Sequence, residues 1–292
     1  MQHIEKFREL KNLAVSLDLS SIAVAVNTTK QAHDIAYDYI ANIDSKTEED
    51  AFPVYVHLNL IGRILEQIEG MLICIATKSY TSAEALARVV VESSINLTYM
   101  ALHGDARTIT AFMGKWLDEH TRKLNDWKKE VEDEEYQEQI SALIDDRLEA
   151  LQLYEQYVDL IGNKFKVAPE QYNDLWTNSL FKRFNKLDKA EDYYSIYHRL
   201  SGSSHMTAED TISFMLALQM PDDIRIKMAK EAISYSVMMS RVVCVHFIES
   251  LAMCCIYHGM TERLEIEKFL TLKNSLYIAI EQIRIDAGVP AA

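Results

Sequence analysis

The stretch LNLIGRILEQI, residues 58–68, carries apolar side chains at Leu58, Leu60, Ile61, Ile64, Leu65 and Ile68. Steps of three and four residues set these on one face of a helix, whereas a half-buried strand would alternate strictly. The same spacing continues in both directions. It divides the chain into expected helices over 2–17, 21–43, 48–77, 82–103, 106–131, 133–163, 170–186, 190–201, 207–218, 222–258 and 261–286. Thr81 with Glu84 and Thr207 with Asp210 have the spacing of a hydroxyl cap and an acidic third position. Gly104, Gly162 and Gly259 follow periodic runs, where glycine can close a helix, and Pro221 suits a first turn.

Composition supports long helices. The 292 residues include only 8 Gly and 4 Pro, too few for a fold with many tight turns, and hydrophobic residues at 49% suffice for a core. No internal repeat or low-complexity linker interrupts the chain. The expected fold is therefore an all-α bundle of long antiparallel helices in a single domain over 1–292, with segment 1–45 packing on the main bundle. The long apolar faces, that of 222–258 above all, lead to the expectation of a homodimer.

Several function classes are disfavoured. Cys74, Cys244, Cys254 and Cys255 form no CxxC pair and read as reduced, buried thiols. Met1 leads directly into the amphipathic QHIEKFREL, which does not read as a signal peptide, so a cytoplasmic location is expected. The apolar run Ala232–Tyr257 contains Arg241, His246 and Glu249. Placing the arginine alone in hydrocarbon costs roughly 2.5 kcal/mol or more, so a core helix is expected rather than membrane insertion. A phosphate-binding glycine loop, a GxSxG elbow, an HExxH pair and a Glu-x-x-His pair are all missing, and neither metal nor cofactor is expected.

The formal net charge of −14 opposes a broad nucleic-acid surface. Between Lys164 and Lys189 the balance reverses, with Lys164, Lys166, Lys182, Arg183, Lys186 and Lys189 against Glu170, Asp174 and Asp188. The acidic group Glu130, Glu132, Asp133, Glu134, Glu135 and Glu138 reads as a solvated hairpin tip. Tyr172, Trp176, Phe181, Phe184, Tyr193 and Tyr194 could stack bases, but such a tract is more often a packed corner.

Two constellations carry candidate chemistry. In ALARVVVESSINLTYM, residues 85–100, Arg88 and Glu92 share one face of a strongly apolar helix. Charges buried there must be paired, which makes them either a structural device or part of a site. In YHRLSGSSHMTAED, residues 197–210, Tyr197, His198, Arg199, Ser201, Ser203, Ser204 and His205 crowd around Gly202. The glycine and serines are expected to loosen one helix before Thr207 caps the next. His205 would then precede a helix N-terminus, whose amides and dipole suit an anion and favour neutral imidazole.

The pair Arg-x-x-x-Glu and Tyr-x-x-x-Ser-x-x-x-His, here Arg88, Glu92, Tyr197, Ser201 and His205, resembles a family of functionally uncharacterised bacterial all-α proteins. That resemblance implies a fold, and that the two constellations form one polar cluster. Arg199 and His205, with five residues between them, also resemble the signature of HEPN proteins, which include metal-independent RNases and nucleotide-binding modules. It implies His205 as general base and Arg199 as phosphate clamp in a defence- or stress-associated ribonuclease, with Arg88, Glu92, Tyr197 and Ser201 in support. Leu200, where these nucleases carry a polar residue, and Gly202 inside the motif depart from that pattern. The expected function is thus RNA or nucleotide binding with possible cleavage. Its alternatives are a noncatalytic interaction or sensing protein with a buried polar network, and a metal-dependent hydrolase built on Glu92, His205 and Glu249.

Overall fold

The structure, a computed structural model, describes residues 9, 11, 19–45, 47–131, 134–204 and 208–286. His205 and Thr207 lie outside the described residues, as do Glu132 and Asp133 and nearly all of the expected helix 2–17. Among the described residues every regular element is helical. In chain order these begin with α1 (Ala23–Ala41), α2 (Glu48–Ala76), α3 (Tyr80–His103), α4 (Ala106–Glu130) and α5 (Glu134–Phe165). A corner follows, made of the 3-10 turn Pro169–Gln171, α6 (Tyr172–Leu175) and α7 (Leu180–Lys186). Next comes a continuous run of α8 (Ala190–Asp192), a π-helix over Tyr193–His198, and α9 (Arg199–Ser204). The chain then forms α10 (Ala208–Ala217), α11 (Asp222–Tyr257) and α12 (Arg263–Asp286).

The main core forms where α11 lies against α3, flanked by α1, α2 and α12. From α11, Met239, Val243, Phe247 and Leu251 recur every four residues and are at most 3% exposed. Each such side chain contributes about 1.5–3 kcal/mol through burial. From α3, Ala87, Val91, Ile95 and Leu97 meet them. The apolar run around Ala232–Tyr257 is therefore a core helix: 72% of its most apolar window is buried inside the fold. A second core joins α4 and α5 to the corner through Ile109, Leu117, Val158, Ile161, Tyr172 and Trp176. Gly114 permits this packing, because the Tyr172 ring occupies the space that a Cβ would fill.

Most expected spans match to within a few residues, and the departures are local. The expected helix 170–186 is broken at Trp176, whose backbone is extended so that its indole can turn under α4. Ser179 then caps α7 by accepting from the Lys182 amide. α3 starts at Tyr80, ahead of the expected Thr81 cap, and Asp105 caps α4 by accepting from Arg107 and Thr108. Gly104 is extended rather than left-handed, and α5 runs through Gly162 to Phe165. Gly259, at φ +95°, does take the left-handed conformation after α11. Gly202 does not loosen its helix: α9 continues through it to Ser204, with open space where a Cβ would stand.

Candidate functional site

On α3 a polar line, Glu84, Arg88, Glu92 and Asn96, recurs every four residues along a single face. The π-helix lies across it. π-helical turns are rare and occur most often at functional sites. Here the wider turn stacks Tyr193 on Tyr197, with ring centroids 5.4 Å apart, and packs Phe184 against both. The aromatic tract is accordingly a packed corner, and Tyr197 is wedged from it onto α3.

The Tyr197 hydroxyl is the hub. It accepts from Arg88 Nη2 at 2.9 Å and donates to Glu92 Oε2 at 3.2 Å, while the Arg88 guanidinium lies 5.1 Å from the ring centroid. Tyr197 thus bridges Arg88 and Glu92. Burial raises the Tyr197 pKa, and the Arg88 hydrogen bond opposes that rise. The hydroxyl therefore stays protonated at neutral pH and keeps both bonds. Farther along α3, Ser236 of α11 donates to Glu84.

The second constellation divides. Tyr197 reaches the α3 line. Arg199 is exposed, and its guanidinium sits 5.0 Å from the Tyr235 ring centroid instead of beside Arg88 and Glu92. Ser201 is half-buried in α9 and makes no side-chain hydrogen bond among the described residues. Leu200, the departure from the HEPN pattern, is fully buried in the main core, so an apolar residue there follows from packing. His205 is outside the described residues.

Of the metal grouping, Glu92 and Glu249 are described and each is held by other side chains, while His205 is outside the described residues. Glu249 accepts from Lys189 at 2.9 Å and Lys273 at 2.5 Å, while Glu92 is committed to Tyr197. Among the described residues no cluster of three His, Cys, Asp or Glu side chains could hold a metal ion. Part of the basic segment is tied to the fold. Arg183 is 6% exposed, donates to the Thr177 carbonyl and lies 4.7 Å from the Trp176 ring centroid. Lys186 donates to the Tyr99 hydroxyl at 3.1 Å, and Lys189 binds Glu249. Three of the six cations thus contact groups of the fold.

A cleft of about 660 Å³ opens where Glu92 and Asn96 leave the core. Its walls are aromatic, with Phe112 and Trp176 edge to face at 4.9 Å, and Trp116, 42% exposed, at the mouth. Lys115, Asp118, Glu119 and Arg122 of α4 form the rim. Two polar atoms in these walls, Asn96 Oδ1 and Arg183 Nε, are buried without a hydrogen-bond partner among the described residues. Such groups cost about 1–3 kcal/mol each when left unmatched. Burial lowers the Arg183 pKa, with Glu92 the foremost opposing charge, which places the guanidinium in the field of the Glu92 carboxylate. Asn96, Trp116, Trp176 and Arg183 were missed as site residues in the sequence. The four-residue repeat on α3 could have revealed Asn96; Trp176 and Arg183 stood out only within the aromatic tract and the basic segment, and nothing local marks Trp116.

Comparison with known proteins gives one match. The model of a family of unknown function, DUF5677, matches residues 54–223, a span that contains the α3 line, the cleft and the π-helix. No curated protein and no solved structure matches the chain.

Proposed function

As the chain belongs to this family of unknown function, we propose a role from the site itself: the cleft binds a single nucleotide through its heterocyclic base. The observation that carries the reading is the lining of the cleft, where the aromatic side chains of Phe112, Trp116 and Trp176 stand together with the polar side chains of Glu92, Asn96 and Arg183. Aromatic faces beside acceptor and donor side chains suit a flat ligand whose edge carries both an N–H and an acceptor. Nucleobases have such edges. Glu92 uses Oε2 for Tyr197, leaving Oε1 for a second ring or amino N–H, and Trp116 supplies a stacking face at the mouth. Lys115 and Arg122 on the rim take the phosphate.

Size and charge favour one nucleotide over an extended strand. The cleft's volume falls in the range of small-ligand pockets, roughly 300–1,000 Å³. A chain with a net charge of −14 repels a long polyanion. In this reading Tyr197 and Arg88 are positioning residues that orient Glu92, and the protein acts as a ligand sensor.

The test is titration of tryptophan fluorescence with each of the common ribonucleoside monophosphates. A saturable change is expected with at least one of them. Glu92→Gln should weaken that binding by about 10- to 100-fold, the effect of losing a charged hydrogen bond. No saturable change up to millimolar nucleotide, or equal affinity in Glu92→Gln, overturns the reading. An RNA pool incubated in parallel with EDTA tests cleavage. Products lost in both Arg199→Ala and His205→Ala would replace it with the metal-independent ribonuclease reading.

A further inference from the structure

Beside Tyr235, a helical hairpin made of α10 and the first turns of α11 stands clear of both cores. Every residue from Pro221 to Ile233 is exposed, and so is every residue from Thr211 to Met220 except Ala217. α10 packs only lightly, on α11. The hairpin is nonetheless apolar. Ten large hydrophobic side chains lie exposed on it, among them Phe214 at 63%, Ile212 at 58%, Ile226 at 57% and Leu218 at 53%. Their exposed fractions amount to about five whole side chains, on the order of 900 Å² for residues of this size. That exceeds the largest apolar patch of a typical monomer, roughly 300–600 Å². It is close to the roughly 800 Å² that each partner buries in an interface of ordinary size.

The charges on the hairpin indicate what covers it. Asp222 is held by Arg225 and Lys227 by Glu231, both within α11. Asp223 and Lys230 have no ion-pair partner among the described residues. They lie seven residues apart on the helical face that also carries Ile226 and Ile233. A face with an acid at one end, a base seven residues on and Ile226 between them complements itself when a second copy is laid antiparallel.

We propose that the chain forms a homodimer whose two-fold interface is this hairpin, with the two α11 segments antiparallel and the axis near Ile226. Asp223 of each copy then faces Lys230 of the partner subunit, and the contact occurs twice because the interface is isologous. Phe214 and Ile212 of α10 enlarge the apolar centre.

Sedimentation equilibrium of the full chain at micromolar concentration tests this. The wild type should have twice the chain mass, and Phe214→Asp with Ile226→Asp should give a monomer. Both side chains are exposed, so the helical signal and melting of the body should be unchanged in that monomer. Asp223→Lys should weaken the dimer about tenfold, and adding Lys230→Asp should restore it, because the charges then face each other reversed. A wild-type monomer at tens of micromolar, or a dimer indifferent to Phe214→Asp with Ile226→Asp, overturns the proposal. A dimer that those substitutions split but the charge exchange does not restore overturns the antiparallel arrangement.

Discussion

Lowering the pH from 7.5 to 5.0 should destabilise this protein by about 4 kcal/mol, through histidines held neutral in its interior. His57 is 0% exposed, and its Nδ1 lies 3.0 Å from His258 Nε2. Burial, with His258 adding to it, lowers the His57 pKa from 6.5 to about 3. His246, 5% exposed on α11, is lowered to about 4 by burial and then by Lys189. As pH falls through 6.5 the unfolded chain takes up a proton at each site, while the folded chain does not until about 4 and 3. Stability is therefore complete above pH 6.5, declines below it and levels off only beneath the folded values. At pH 5 each group has cost about 2 kcal/mol, at roughly 1.4 kcal/mol per pH unit. His258, lowered to about 4 by burial, adds a smaller amount because it is partly solvated and screened. Burial raises the Glu249 pKa, but its hydrogen bonds from Lys189 and Lys273 outweigh that and hold it below 4.5, so its loss falls beneath this window. For a chain of this length the sum corresponds to a drop in melting temperature of about 6–8 °C. Urea unfolding at both pH values measures it, beside a His57→Leu, His258→Leu variant that removes both members of the pair. The variant should lose about half the pH dependence. Equal stability at pH 7.5 and 5.0, or an undiminished slope in the variant, would refute the reasoning.

Two further substitutions test the packing around the site. Tyr197→Phe keeps the ring on Tyr193 and Phe184 but removes the hydroxyl between Arg88 and Glu92. It should cost about 1–3 kcal/mol in urea unfolding, and a neutral result would mean that the hub is not formed in solution. Gly114→Ala and Gly62→Ala should shift stability in opposite directions. At 114 a Cβ would stand 2.7 Å from Tyr172 Cδ2 and closer to Cε2 and Cζ, costing about 1–3 kcal/mol, whereas exposed Gly62 has nothing within 4 Å and alanine should gain about 0.5–1 kcal/mol. Matching signs in the two variants would contradict this packing.

The sequence by itself determined the helical class and most of the spans, because a helix repeats every 3.6 residues and must show its buried face in the order of its apolar residues. It also singled out Arg88, Glu92 and Tyr197, which the structure joins by hydrogen bonds, since charges inside an apolar helix need partners wherever the chain folds. Local order could not decide how distant segments meet. Only the tertiary structure sends Tyr197 to Glu92 while its near neighbour Arg199 goes to Tyr235, ties Arg183, Lys186 and Lys189 to the fold, and pairs Glu249 with Lys189 and Lys273. Trp176 and Arg183 were visible only as members of an aromatic tract and a basic segment, because their place in the cleft depends on a break in the expected helix 170–186. The cleft exists because the consecutive helices α3 and α4 pack beside the distant corner at Trp176–Arg183, and that contact is a property of the assembled core.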